Sequence, residues 1–331
     1  MTAHTPLPAE ARPDSLAALC KAAGDSLRLN ILRVLANDSF GVLELAKIFA
    51  TGQSGISHHL KVLAQAGLVS TRREGNAIFY RRALSQSAPF AQALHAALLA
   101  EVDQLSLDNE VQARIQAVHQ QRSAVSQAFF ARMADDFQAQ QDLIASLEHY
   151  RESLLSLLAA LSFAPNARAI EVGPGDGAFL PELAARFAEV IAIDNSPQML
   201  ELAKQRCAQD DLNNVQLLLA DALEQPQLRA DCVVLNMVLH HFAAPAEALA
   251  RLAQWVTPGG SLLLCELCSH NQSWTRQMCG DLWLGFERED LAHWADAAGL
   301  MPGQSVYVGL KNGFQIQVRH FVRPESRSIH R

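Results

Sequence analysis

Charge, cysteine and long apolar runs are all scarce in this 331-residue chain. Only 18% of its residues are charged while 50% are hydrophobic, so substantial cores can be buried and global disorder is excluded. No apolar run reaches the roughly 18 residues that a membrane span needs. The longest candidate, Leu154 to Ala164, is too short, and no membrane partner is expected. Six cysteines are too few for a disulfide scaffold. The opening residues have no basic start followed by an apolar stretch, so no secretory signal is expected and a reducing cytoplasm is the expected compartment. Repeats and low-complexity tracts are also missing. What remains is length enough for about two domains.

The net charge of −7 alone speaks against a nucleic-acid partner, but it is unevenly spread. Between Ser15 and Leu84 nine basic residues (Lys21, Arg28, Arg33, Lys47, Lys61, Arg72, Arg73, Arg81, Arg82) face four acidic ones (Asp25, Asp38, Glu44, Glu74). The rest of the chain holds 18 basic and 30 acidic residues. Such asymmetry suggests a basic module that meets nucleic acid, joined to an acidic one; chance clustering on a solvated face is the alternative.

The basic part reads as three helices and a hairpin. Asp25 caps a first helix with apolar Leu27, Ile31, Leu32, Val34 and Leu35 at helical spacing. A second spans Val42 to Ala50. A third starts near Ser54, turns Ile56, Leu60, Leu63 and Ala64 inward, and stops at Gly67. Two alternating runs, Leu68 to Arg73 and Ala77 to Arg82, flank a Glu74-Gly75-Asn76 turn. That order is a winged helix-turn-helix. The stretches Gln53–Leu63, Ala66-Gly67-Leu68-Val69, Arg72-Arg73-Glu74-Gly75 and Phe79-Tyr80 resemble the recognition helix and wing of the ArsR/SmtB repressor family, over about 70 residues.

A recognition helix offers polar side chains to base edges in the major groove. Gln53, Ser54, Ser57, His58 and Lys61 fall opposite the apolar positions and are the expected base-side contacts; a plain polar helix face is the alternative. Arg72, Arg73, Arg81 and Arg82 on the wing would meet phosphates or the minor groove. The resemblance implies a homodimer on double-stranded operator DNA. No metal site is expected. Val42-Leu43-Glu44-Leu45-Ala46 stands where metal-sensing relatives carry a thiolate pair, the terminal helix offers only His95, and the adjacent His58 and His59 point about 100° apart. Cys20 is expected as a buried thiol.

From Ser85 to Ala160 the chain is rich in Gln, Ala and Leu, with almost no Gly or Pro, so several helices are expected. Phe90, Leu94, Leu98, Val102 and Leu105 form a stripe that suits a dimer seam or a contact with the next domain. Phe129, Phe130, Phe137 and Tyr150 either close over a ligand or pack as core.

The remainder alternates strands and helices. Ala169–Val172 runs into the loop Gly173-Pro174-Gly175-Asp176-Gly177, and Phe179 to Phe187 reads as a helix. Val190–Asp194, Val215–Asp221, Asp231–Asn236 and Ser261–Glu266 follow as strands, with a helix from Pro197 to Cys207. A closing helix, Leu282 to Leu300, precedes strands Ser305–Val308 and Phe314–Val322. This pattern gives a doubly wound α/β sheet with ligands at the strands' carboxyl ends. The glycine loop alone also fits a dinucleotide fingerprint. Taken with Glu171, Asp194, Ala220-Asp221-Ala222, Leu239-His240-His241-Phe242 and Pro258-Gly259-Gly260, it resembles class I S-adenosylmethionine-dependent methyltransferases, from about 165 to 322. The resemblance implies S-adenosyl-L-methionine or S-adenosyl-L-homocysteine as ligand. Glu171 and the loop Gly173, Gly175, Asp176 and Gly177 would face the methionine part. Asp194 and Asn195 would face the ribose, and Met199, Asp221 and Ala222 the adenine. Asn236 would lie near the sulfonium. Met199 fits a core filler equally well.

His240, His241 and Glu266 are the candidate general bases for methyl transfer, with capping or packing as the alternative for His241. The spaced thiols Cys265, Cys268 and Cys279 have no partner pair for zinc and read as buried small residues. The expected organisation is a flexible terminus (1–14), a winged helix-turn-helix (15–84), a helical connector or dimerisation region (85–160), a Rossmann-like methyltransferase domain (161–322) and a tail (323–331). Some ArsR-type regulators respond to S-adenosylhomocysteine. Two readings stay open by resemblance: a nucleoside-sensing repressor, and an active methyltransferase on a small-molecule acceptor with a DNA-binding head.

Overall fold

The computed structural model describes residues 13–75, 77–83, 92–133, 137–225 and 228–325. Asn76, Phe90, the side chain of Phe137 and most of both termini lie outside the described residues. The chain divides into two compact units, 1–119 and 120–331. The stretch expected as a connector is therefore shared between them. Among the described residues no helix is long and apolar enough to cross a membrane.

The first unit is the winged helix-turn-helix expected. Helices α1 (Pro13–Ala23), α2 (Ser26–Val34), α3 (Val42–Ile48) and α4 (Gln53–Gln65) precede strands β2 (Val69–Glu74) and β3 (Ala77–Arg82). The Asp25 carboxylate accepts the Arg28 N–H at 2.9 Å and so caps α2. Ile31, Leu32 and Leu35 of the α2 turn, Leu45 and Ile48 of α3, and Ile56, Leu60 and Leu63 of α4 share one core. Ala64, expected inward, is exposed. A two-residue strand β1 (Phe40–Gly41) pairs with β3 and gives the order β1-β3-β2.

Helix α5 (Gln92–Asp103) follows, and its stripe divides. Val102 is buried in this unit's own core with Leu98 packed beside it, while Leu94 and Leu105 are exposed. Cys20 is exposed, which corrects the buried thiol expected: Leu19 and Ala22 take the inward face of α1 instead. Helix α6 (Asn109–Met133) is a single run of 25 residues, one of the several helices expected between 85 and 160. The boundary between the units falls inside it.

The second unit holds α7 (Phe137–Ile144), α8 (Arg151–Ala159), α9 (Leu180–Ala184), α10 (Pro197–Gln209), α11 (Pro245–Ala253), α12 (Thr275–Met278) and α13 (Arg288–Ala297) around one seven-stranded sheet. Its strands are β4 (Arg168–Val172), β5 (Glu189–Asp194), β6 (Val215–Leu219), β7 (Ala230–Asn236), β8 (Val256–Leu267), β9 (Met301–Gly309) and β10 (Gln315–Val322). The order is β6-β5-β4-β7-β8-β10-β9, parallel from β6 to β8, with β10 antiparallel to both of its neighbours. Ile170, Ala192, Val233, Val234, Leu263 and Leu264 are all fully buried, as strands covered on both faces require. The chain reverses direction across the sheet between β4 and β7, which places a ligand crevice at their carboxyl ends.

Two expected helices are shorter than their sequence patterns. Only Leu180–Ala184 coils after the glycine loop. Helix α13 begins at Arg288 because residues before it are held otherwise: Leu282 and Trp283 donate their N–H groups to the His240 carbonyl, and Phe286 bridges Cys268.

Candidate functional site

The recognition helix α4 presents Gln53, Ser54, Ser57, His58 and Lys61 to solvent, opposite buried Ile56, Leu60 and Leu63. The wing is more selective than its composition suggests. Arg73 is exposed and donates to the nearby Gly75 carbonyl at 3.1 Å, and Arg81 donates to the Ser70 hydroxyl. Arg72 sits 2.6 Å from Glu74, a carboxylate buried in the hairpin. Arg82 grips both oxygens of Asp103 and the Leu32 carbonyl, so it ties β3 to α2 and α5. Arg72 and Arg82 thus each have carboxylate partners within the fold of the wing.

In the second unit the expected nucleoside residues converge at the carboxyl ends of β4, β5 and β6 and on the loops beyond. Gly173, Gly175 and Gly177 have φ of 65°, 58° and 77°. A Cβ on Gly173 would stand 2.3 Å from Val238 Cγ2, so only glycine fits there. Glu171, 1% exposed, is the penultimate residue of β4, and its Oε2 lacks any hydrogen-bond partner. Burial, reinforced by the charge of Asp176, raises its pKa to about 8. Asp176 is half-buried, accepts the Ala178 N–H and faces Arg206.

Asp194 ends β5, and burial lifts it to about 6 against the backbone N–H groups of Ser196 and Asn195. One of its oxygens accepts the Ser196 N–H at 2.8 Å. Asn195 itself is exposed. Asp221 lies two residues beyond β6, not within it, and accepts the Leu223 N–H beside buried Ala222. Met199 is 2% exposed, which suits the filler reading.

The third group stands after β7 and β8. Met237 has φ of 54°, rare for a non-glycine residue, and the strained backbone leads from Asn236 into a turn at Leu239–His241. Buried His240 has its Nδ1 2.6 Å from Glu266 Oε1, and its backbone N–H donates to Oε2 at 3.0 Å. Its Nε2 faces Asp281 Oδ1 at 3.6 Å. The charges of Glu266 and Asp281 outweigh burial and raise His240 to about 9, so at neutral pH it carries a proton and cannot take one. His241 is the opposite case: burial and the neighbouring His240 charge hold it well below the usual value. Its Nδ1 lies 3.2 Å from the Gly280 carbonyl, while Nε2 is unpartnered. Glu266 is fully buried and anchors His240.

Comparison with known proteins agrees with both halves. A family model described as "Bacterial regulatory protein, arsR family" matches residues 25–71, and one described as "Methyltransferase domain" matches 146–302. The biofilm growth-associated repressor of Agrobacterium fabrum is 40% identical over 101 residues, 30% of this chain and 86% of that protein. This chain belongs to the arsR family and carries a methyltransferase domain.

The second half is similar to carboxy-S-adenosyl-L-methionine synthase of Pseudomonas entomophila, 35% identical over 146 residues, 40% of this chain and 59% of that protein. An uncharacterized transposon protein of Streptomyces fradiae is 34% identical over 130 residues. The match spans 38% of this chain and only 37% of that relative's length. Two solved structures share the fold. One belongs to a complex between a Haloferax volcanii methyltransferase activator and a methyltransferase (TM-score 0.51, 15% identity, 61% of this chain and 98% of that one). The other is magnesium protoporphyrin IX methyltransferase of Synechocystis with bound S-adenosylhomocysteine (TM-score 0.50, 18% identity, 61% and 99%).

Sequence reading passed over Asp281, which no motif marks, and left Tyr150 undecided. Tyr150 is buried, and burial, reinforced by the charges of Cys265, Glu171 and Glu266, raises its hydroxyl well above its ordinary value. Asp103, the partner of Arg82, carries no signal at all in a helix of ordinary composition.

Proposed function

We propose that this protein is a dimeric repressor of operator DNA whose methyltransferase domain binds S-adenosylmethionine or S-adenosylhomocysteine, and that the occupied domain changes DNA affinity. The observation that carries the ligand is the unpartnered oxygen of Glu171 at the mouth of the glycine loop. A buried carboxyl with nothing to bond calls for a cationic partner, and the α-ammonium of the nucleoside's amino-acid part is one. The loop amides suit its carboxylate. Asp194, with one oxygen already fixed by Ser196, accepts the ribose hydroxyls, while Asp221 and Ala222 flank the adenine. Asn236 Oδ1, also unpartnered, stands toward the sulfur.

Both units use α6. Val118 and His119 pack in the first, His119 stacking on Phe40 at 5.8 Å between ring centroids. Phe130 meets His241 edge-on at 4.8 Å in the second. Gel-shift titration of the full chain against a promoter duplex tests the reading. Either nucleoside at saturation should move the DNA midpoint, and Asp194→Ala should abolish that shift together with calorimetric binding. An unmoved midpoint in the presence of bound nucleoside would sink the sensor.

One feature favours a second reading, methyl transfer to a small acceptor. S-adenosylmethionine supplies an electrophilic methyl, and this chain's part is to position the acceptor and exclude water. His241, neutral with a free Nε2, is the group able to take a proton from it. Incubation with a labelled methyl donor and candidate metabolites tests this, and absence of transfer to any of them removes it.

A further inference from the structure

Four buried polar atoms gather beyond the carboxyl ends of β7 and β8 without a close hydrogen bond, namely His240 Nε2, His241 Nε2 and both oxygens of Asp281; His240 Nε2 and Asp281 Oδ1 face each other only as a loose ion pair at 3.6 Å. One ligand atom from each of the three residues lies within 4.8 Å of the others. Buried polar atoms left unpaired cost on the order of 1–3 kcal/mol each, and a cluster of them points to an ion.

The other side of each ring is equally telling. His240 turns Nδ1 to Glu266 at 2.6 Å, and His241 turns Nδ1 to the Gly280 carbonyl at 3.2 Å. These contacts engage Nδ1 of each ring and leave Nε2 of each for a ligand, with His240 Nε2 facing Asp281. A metal-binding histidine has this same arrangement, with a carboxylate or carbonyl behind it. Donor atoms around a tetrahedral zinc stand about 3.3 Å apart. The His240 Nε2 to Asp281 Oδ1 distance of 3.6 Å is near that, and modest side-chain rotation brings in the third donor.

We propose that His240, His241 and Asp281 bind a divalent first-row transition metal through two imidazole nitrogens and one carboxylate, with Glu266 and the Gly280 carbonyl orienting the rings. Two nitrogens and one oxygen are donors for zinc, iron(II), cobalt(II) or manganese(II), not for calcium or magnesium. Three protein ligands leave a coordination position open, as in catalytic zinc sites. His241 Nε2 holds either the metal or an acceptor's proton, so occupancy excludes its use as a base. The site does not depend on the nucleoside pocket.

Cobalt(II) added to the metal-free full-length protein is the test. One equivalent should bind with visible bands of a nitrogen and oxygen site. Proton NMR of that complex should show two hyperfine-shifted exchangeable signals, the Nδ1–H protons held by Glu266 and Gly280. Asp281→Asn should weaken cobalt affinity at least about 10-fold. His241→Gln, at a half-buried position, should do the same and serves if the first variant fails to fold. Zinc should displace the cobalt.

No binding by a protein that still takes up S-adenosylhomocysteine overturns the proposal. So does binding indifferent to both substitutions, or an intense thiolate-to-cobalt band that assigns the ion to cysteine. Loss of nucleoside binding with cobalt binding intact strikes the proposed function and leaves this site standing.

Discussion

A carboxyl group buried without a partner is tolerated when it keeps its proton, and Glu171 is such a group. Its pKa moves from 4.5 unfolded to about 8 folded, so folding takes up a proton between those values. The contribution of Glu171 to stability is full below about pH 4.5 and is lost as pH rises through about 8. Glu171→Gln should therefore stabilise the empty protein by a few kcal/mol at pH 8.5 and change little at pH 4.5. Urea unfolding of both forms at the two pH values checks this, since other titrating groups cancel in the difference.

The same group predicts a signature of ligand binding. At pH 7 it is protonated, and an ammonium placed against it drives that proton off. Calorimetric titration with S-adenosylhomocysteine in buffers of different ionisation heat should report about one proton released, and none for Glu171→Gln. Glu171, Gly173 and Asp194 were legible in the sequence because each lies within two residues of an apolar strand end, where the chain pattern itself marks the ligand crevice. Asp281 was not, because an irregular loop and one short helix carry it from β8 to His240, and no periodicity encodes that path.

Among the elements, the strands buried on both faces were read correctly since their apolar runs have no competing interpretation. The two residues of β1 are too few to show a period. The wing shows why counting charges misleads. Four arginines there look equivalent in sequence, yet Arg72 and Arg82 are paired with carboxylates of the fold. Replacing Arg82 with Ala leaves Asp103 and the Leu32 carbonyl unpaired, and it should lower stability by about 1–2 kcal/mol with the salt dependence of DNA binding unchanged. Arg73→Ala should do the reverse. It should leave the melting temperature in place and reduce the slope of log affinity against log salt by about 0.9 for each wing that loses a phosphate contact. Thermal melts and gel shifts at several salt concentrations separate the two. An Arg73 variant with an unaltered slope would remove that residue from the DNA face.

For the whole molecule, coupling between nucleoside and DNA is a single free energy, whatever route carries it. A tenfold change in operator affinity on nucleoside binding equals about 1.4 kcal/mol, and operator DNA must then change nucleoside affinity by the same factor. Helix α6 has residues in both units, with Val118 in the first unit's core, and with buried Phe129 and the Phe130 ring against His241 in the second. Phe129 is itself placed by Gly280: a Cβ there would stand 2.4 Å from its ring, so the helix, the Gly280 turn and His241 fit as one packed group. Phe130→Ala loosens that group without touching the nucleoside residues or the recognition helix. It should leave each separate dissociation constant within about threefold and shrink the coupling factor measured in both directions equally. The measurement is a pair of titrations, S-adenosylhomocysteine with and without saturating operator, and operator with and without the nucleoside. If operator leaves the wild-type nucleoside constant where it was, the two units bind independently and α6 is a tether. If the factor survives in Phe130→Ala, coupling runs through some other part of the chain.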